Sequence, residues 1–397
     1  MVWGMAHTTP AVDVRVFAQP PGPGHNGVSG IDALLTTPEI LAEFFRRRAF
    51  RNETPEAPFT SHEDYVKSLA PGELADIVWR QLFVDNSPVS EPARIILTTL
   101  GMYGLDVASG DLRLLREQYA AIPDNEKLDK TLALANVDLV LHPVESMDLD
   151  RHDRRGTRHR AFRPVLCLND LLGDWKESAR KLRRLGFGLK ARVDDFAPLE
   201  LRRHLAGEID RLSPAALALD WPEGGHHAGD SGIGRLLREA VLPLCEERGL
   251  AFMLAACDEK IDRLALLWES FPGVKFLLFP GMEEHFLPAT VSAFNGRNLL
   301  LCGPDQPLSY PRALDSFLGL RLETLGGAFH ACHSGASALE DLVGCWAHMR
   351  WTLGKALIRH YAELWRTGWN YDPADVARDV AALLGGNVRA FLGLEDR

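Results

Sequence analysis

Acids and imidazoles in this chain collect at one kind of place, immediately after short apolar runs. His142 and Glu145 close one such run and Asn169 and Asp170 another, while Asp220, Trp221, Glu223, His226, His227 and Asp230 follow a third. Further along come Asp258 and Glu259, then Glu283, Glu284 and His285, then Asp305, and last His330, Cys332 and His333. The first run carries Arg15 and Phe17 instead. Carboxylates and imidazoles grouped in this way suit general acid–base work or the ligation of a divalent metal.

Each of these residues also has a plainer reading. Adjacent His226 and His227 sit in a Gly- and Asp-rich stretch that reads as a solvated turn. His330 and His333 have ligand spacing only on a helix, since on a strand they would face opposite sides. His142 reads equally as a satisfied histidine at a strand end. The basic run Arg151-His-Asp-Arg-Arg-Gly-Thr-Arg-His-Arg160 is a solvated loop or, more sharply, an anion-binding lid, because guanidinium forks match carboxylate and phosphate. The six cysteines lack CxxC spacing and fall mostly in apolar runs. They read as small core residues in a reducing compartment.

The elements that must position these groups follow from the runs themselves. Eight are countable, over residues 11–18, 137–144, 162–168, 215–221, 251–257, 274–279, 298–302 and 327–332. Near-continuous apolar strands are buried on both faces, as in a parallel sheet covered by helices. Helical patterns separate most of them, over residues 236–248, 261–270 and 311–324. Eight such β-α units predict a (β/α)8 TIM barrel, whose chemistry lies at the C-terminal ends of the strands. A doubly wound sheet is the rival, but Pro20-Pro-Gly-Pro-Gly24 does not fit the phosphate loop it needs. The long gap between the first two strands reads as helix. Thr37-Pro-Glu and Ser90-Glu-Pro look like capped starts, and residues 112–121 follow. We expect residues 30–130 to be a mainly helical insertion within one barrel domain spanning 1–397.

Composition narrows the partners. There are 44 basic and 54 acidic side chains, a formal net charge of −10, which argues against nucleic acid and anionic membranes. Neither a membrane-length apolar run nor a secretory n- and h-region is present, so the expected location is the cytoplasm. A homo-oligomer is left open.

Several stretches resemble the uronate isomerases and their relatives in the amidohydrolase superfamily. They include Asn86-Ser-Pro-Val-Ser-Glu-Pro-Ala-Arg-Ile-Ile-Leu, Leu134-Ala-Asn-Val-Asp-Leu-Val and Phe162-Arg-Pro-Val-Leu-Cys-Leu-Asn. His333-Ser-Gly-Ala-Ser-Ala-Leu-Glu-Asp-Leu and Tyr361-Ala-Glu-Leu-Trp-Arg-Thr-Gly-Trp continue the likeness in the same order. The resemblance implies a distorted barrel of amidohydrolase type that holds a divalent metal such as zinc and interconverts aldose and ketose forms of a hexuronate. It also implies a His-x-His pair in the first strand, where this chain has Asp13-Val-Arg15-Val-Phe17. The acid expected after the eighth strand falls at Gly335, and the fifth strand has no histidine. An arginine repels a metal and phenylalanine offers it no donor. We therefore expect no cofactor, and a metal site that has been dismantled.

The partner the resemblance implies is a small sugar acid. Arg15, Arg163 and His227 are the expected substrate-binding residues, with Asp258, His142 and His333 as the catalytic ones. Three outcomes stand side by side: a uronate isomerase on remaining or relocated ligands, a sugar-acid-binding pseudoenzyme, and a metal-free lyase or epimerase at the same mouth.

Overall fold

The computed structural model describes residues 1–17, 30–50, 62–147, 159–220, 232–256, 261–281, 289–304 and 311–394. Seven strands form one sheet in sequential order, each parallel to the next. They are β1 (Ala11–Asp13), β2 (Val137–Glu145), β3 (Phe162–Cys167), β4 (Ala216–Asp220), β5 (Ala251–Ala256), β6 (Phe276–Pro280) and β7 (Leu299–Leu301).

The apolar runs split by alternation into two buried layers. Leu139 and Leu141 of β2 join Val165, Met253, Leu277 and Leu300 in an inner cluster that also holds Val12 and Val14. Side chains from both ends of the sheet meet there, so the sheet curls on itself. Intervening residues such as Val140, Leu166, Leu217, Phe252 and Phe276 belong to an outer layer under the helices. Those helices include Ala197–Leu212, Ile261–Ser270 and Pro311–Leu325. The described residues between β1 and β2 form helices, among them Pro38–Phe50 and Glu91–Met102, whose Ser90 N-cap accepts a bond from the Ala93 N–H.

The eighth apolar run is not a strand, which corrects the expectation of eight. Its backbone groups find partners other than a ladder. His330 N–H donates to Leu301 O at 2.9 Å, Ala331 N–H to Leu383 O at 3.0 Å and Gly335 N–H to Arg15 O at 3.0 Å. Phe17 N–H returns to Ala336 O at 2.9 Å. An irregular segment thus bonds to β7 on one side and to the chain beyond β1 on the other. Its close passage requires Gly303, because a Cβ there would stand 2.7 Å from Ala331 O. β1 is shorter than the predicted run for the same reason, its continuation being bonded to this segment.

The segment is anchored by a buried carboxylate. Asp13, fully buried, accepts hydrogen bonds from Ser334 N–H at 3.2 Å and from Trp346 Nε1–H at 2.8 Å. Trp346 lies on the long helix Asp341–Arg366, so one side chain ties together β1, the closing segment and that helix.

Candidate active site

The inner face of the curled sheet decides which strand-end residues can meet. Counting by twos from Leu139 gives Leu141, Pro143 and Glu145 inward on β2. The same count gives Cys167 and then Asn169 after β3, and Ala218 and Asp220 on β4. With Arg15 and Phe17 beyond β1, these residues line a cavity of about 150 Å³ at the C-terminal ends of the strands.

An ion pair organises the cavity. Arg15 Nη2 lies 2.9 Å from Asp220 Oδ1. The guanidinium is also 5.2 Å from the ring centre of Phe17 and 5.5 Å from that of Phe279, within range of both aromatic faces. Asn169 Nδ2 donates to Asp220 Oδ2 at 3.0 Å, and Asp220 N–H donates back to Asn169 Oδ1 at 2.8 Å. Asp170 turns away to hold the bend after β2, accepting from the Ser146 hydroxyl at 2.8 Å and the Met147 N–H at 2.7 Å.

Glu145 is the reactive-looking group. Its Oε2 is buried and makes no hydrogen bond among the described residues. Burial first, then the charges of Asp170 and Asp220, push its carboxyl up to about 7. A carboxyl at that value accepts or gives a proton near neutrality, which is what a general acid or base requires. Cys167 beside it is no nucleophile, since burial and the charges of Glu145 and Asp220 drive its thiol upward.

His333 is fully buried behind the mouth, near Arg15. Its ring meets Phe279 edge-on at 5.3 Å, and its Nε2 is 2.9 Å from Pro304 O. A carbonyl only accepts, so Nε2 carries the hydrogen. Burial first, then the charges of Arg15 and His330, hold its pKa well below the ordinary value.

Two expected site residues lie elsewhere. His142 falls on the outward phase of β2, 2% exposed, with its ring 5.6 Å from that of Phe162. Arg163 is the second residue of β3 and therefore at the opposite, N-terminal end of the barrel, where its Nη1 donates to Arg160 O. Asp258 and His227 lie outside the described residues, as do His226, Glu283, Glu284, His285 and Asp305. The groups brought together are Arg15, His333 and, without a role assigned beforehand, Glu145, Asn169 and Asp220. The signal that finds Glu145 is the two-residue period, which sends Leu139, Leu141 and Glu145 inward and His142 outward.

Among the described residues, no group of three or more His, Cys, Asp or Glu could hold a metal ion. The carboxylate nearest the position expected for a ligand pair, Asp220, is held by the Arg15 cation. The described residues at this mouth do not form a ligand set for a divalent metal.

The described strands and the helices over them form a curled, parallel α/β barrel-like sheet with its mouth at the C-terminal strand ends. No family model matches the chain, and no curated protein matches it by sequence. Solved structures do match. A uronate isomerase from Bacillus halodurans superposes with a TM-score of 0.87 at 26% identity, over 99% of this chain and 95% of that one. A glucuronate isomerase from Caulobacter crescentus shares the fold with a TM-score of 0.66 at 12% identity, over 100% and 94% of the two chains. A provisionally named metal-dependent hydrolase from Lactobacillus casei shares it at 0.53 and 11%, over 99% and 98%. The chain thus resembles uronate isomerases throughout its length.

Proposed function

We propose that the barrel mouth binds a hexuronate and moves a proton between C2 and C1, interconverting its aldose and ketose forms. The observation that carries this reading is Glu145, a carboxyl raised to about 7 with a buried oxygen left open, in the same cavity as the fixed charge of Arg15. Glu145 takes the C2 proton and returns it to C1. The aldehyde oxygen gains a proton as the 2-hydroxyl loses one, so atoms and electrons balance. Arg15 polarises the carbonyl or pairs with the substrate carboxylate, as a permanent planar cation at the mouth. Asp220 and Asn169 position Arg15. His333, buried beside Arg15, backs the mouth as a positioning group. In the same proposal Asp258 and His227, which follow β5 and β4 in sequence, serve as a second proton carrier and a hydroxyl ligand.

The barrel fold and the likeness to a uronate isomerase at 26% identity support this substrate class. The test is glucuronate and galacturonate in deuterated buffer, followed by NMR. The expected result is deuterium at the exchanging carbon and a ketose product, both lost about 10²-fold or more in Glu145→Gln. Exchange that persists in that variant would overturn the role of Glu145. A second reading, binding without turnover, is favoured by the commitment of Arg15 to Asp220. Saturable binding with no exchange would decide for it.

A further inference from the structure

The basic run at 151–160 reads as a solvated loop or, more sharply, an anion-binding lid, and its described end lies at the N-terminal end of the barrel. Arg160 faces a cavity of about 880 Å³ at the N-terminal end of the barrel, together with Arg163, His159 and Arg389. This cavity lies among the starts of β2 and β3, the helix Asp124–Ala135 and the C-terminal end of the chain.

We propose that this cavity binds an oxyanion group, phosphate or carboxylate, of a small molecule, with Arg160 and Arg163 as its ligands. The acids that line it are already engaged. Asp129 Oδ1 is 3.0 Å from His159 Nε2, and Asp138 Oδ1 is 2.6 Å from an Arg389 nitrogen. Neither Arg160 nor Arg163 pairs with a carboxylate among the described residues. Arg163 is pre-set for an anion: its Nη1 donates to Arg160 O at 2.8 Å and Phe162 O at 3.2 Å, which fixes the plane of the guanidinium. Its Nε and Nη2 make no hydrogen bond among the described residues. Two parallel donors on a planar fork match two oxygens of a phosphate or carboxylate. Two like charges in one cavity also repel, and a bound anion converts that repulsion into attraction. The site is independent of the mouth and of any reaction there.

Calorimetric titration of the full chain at low salt, with inorganic phosphate and with citrate in separate runs, tests the proposal. Saturable binding of at least one anion is expected, weakened at least tenfold in Arg163→Gln and weakened less in Arg163→Lys, which keeps charge without the fork. Preference between the two anions identifies the source as phosphoryl or carboxylate. Arg180→Gln, an exposed arginine on the helix Trp175–Arg184, should bind the anion like the parent. Because Arg163 is exposed, the anion-free melting temperature of its variants should be unchanged, which separates lost binding from lost folding. No saturable binding of either anion, binding equally tight in Arg163→Gln, or binding lost in Arg180→Gln would overturn the assignment.

Discussion

Asn169 and Asp220 hydrogen-bond each other in both directions, amide to carboxylate at 3.0 Å and backbone N–H to amide oxygen at 2.8 Å. This pairing joins the ends of β3 and β4 and leaves Asp220 Oδ1 for Arg15. Asn169→Ala removes both bonds while leaving the charges in place. Arg15 and Asp220 then lose their fixed geometry, and we expect isomerase turnover to fall about tenfold, a small displacement at a catalytic group being enough for that. Global stability should drop by only about 1 kcal/mol, as for an ordinary hydrogen-bond loss. Steady-state kinetics beside chemical denaturation check the contrast. A stability loss with unchanged turnover would show that the pair is purely structural.

Arg15 and His333 are linked through charge. Burial is the main reason that His333 resists protonation, and the Arg15 cation is the next. Arg15→Gln removes that cation, so the His333 pKa should rise toward its ordinary value while staying below it. Titration of the imidazole resonances by NMR reads this directly. The same substitution should weaken sugar-acid binding, because the fixed cation at the mouth would be replaced by an uncharged amide. An unmoved His333 titration would place Arg15 farther from that ring in solution than its shared contact with Phe279 implies.

The catalytic limb of the pH profile should come from Glu145. The carboxyl must be ionised to take a proton, so kcat/KM should climb as pH rises and level off above about 7. The stability contribution has the opposite sense. The folded pKa is raised above the unfolded one, so the folded state holds the proton more tightly, and this contribution is lost as pH rises through the folded value. Glu145→Gln should flatten both dependences.

Asp13 repeats that logic in a fully buried setting. Burial lifts its carboxyl to about 6, against hydrogen bonds from Ser334 and Trp346 that favour the ion. Its contribution is complete below the unfolded value near 3.8 and is lost as pH passes about 6. The loss is on the order of 3 kcal/mol by the linkage between pKa and free energy. Asp13→Asn keeps an acceptor for the tryptophan or the backbone but cannot ionise. Denaturant midpoints on either side of the window should therefore differ less in the variant than in the parent.

Much of this arrangement was legible in the residues, and the failures have physical causes. Strands β2 to β7 fell within a residue or two of their apolar runs, because burial on both faces writes itself as an unbroken hydrophobic stretch. The run at 327–332 misled for the same reason. It is buried, yet its His330 and Ala331 N–H groups bond to Leu301 and Leu383 rather than to one neighbouring strand, and composition records burial without recording pairing. Arg15 was legible as a cation at the mouth. His142 was preferred over Glu145 because imidazole suggests chemistry by type, whereas the phase of β2 assigns the mouth to Glu145. Arg163 was misplaced to the wrong end of β3 by attention to residue type over position along the strand. The reciprocal bond between Asn169 and Asp220 could not be read at all, since it joins residues on separate strands whose side chains meet only once the sheet curls.

Gly303 tests whether the irregular segment is as constrained as its bonds suggest. A methyl group at that position would stand 2.7 Å from Ala331 O and 3.3 Å from Cys332 Cα, both backbone atoms that cannot rotate aside. Relief requires the segment to move away from β7. That movement opposes the bond from His330 N–H to Leu301 O and shifts His333 relative to Phe279. Gly303→Ala should therefore destabilise the chain by about 1–3 kcal/mol, the usual range for overpacking against a close-packed wall. It should also raise KM more than it lowers kcat, because Glu145 and Asp220 sit on strands across the barrel and keep their positions. Alanine also favours ordered backbone over glycine by up to about 1 kcal/mol through the unfolded state, so the observed loss is a net value. A variant as stable as the parent, with an unchanged KM, would show that the segment yields freely and that its position does not shape the mouth.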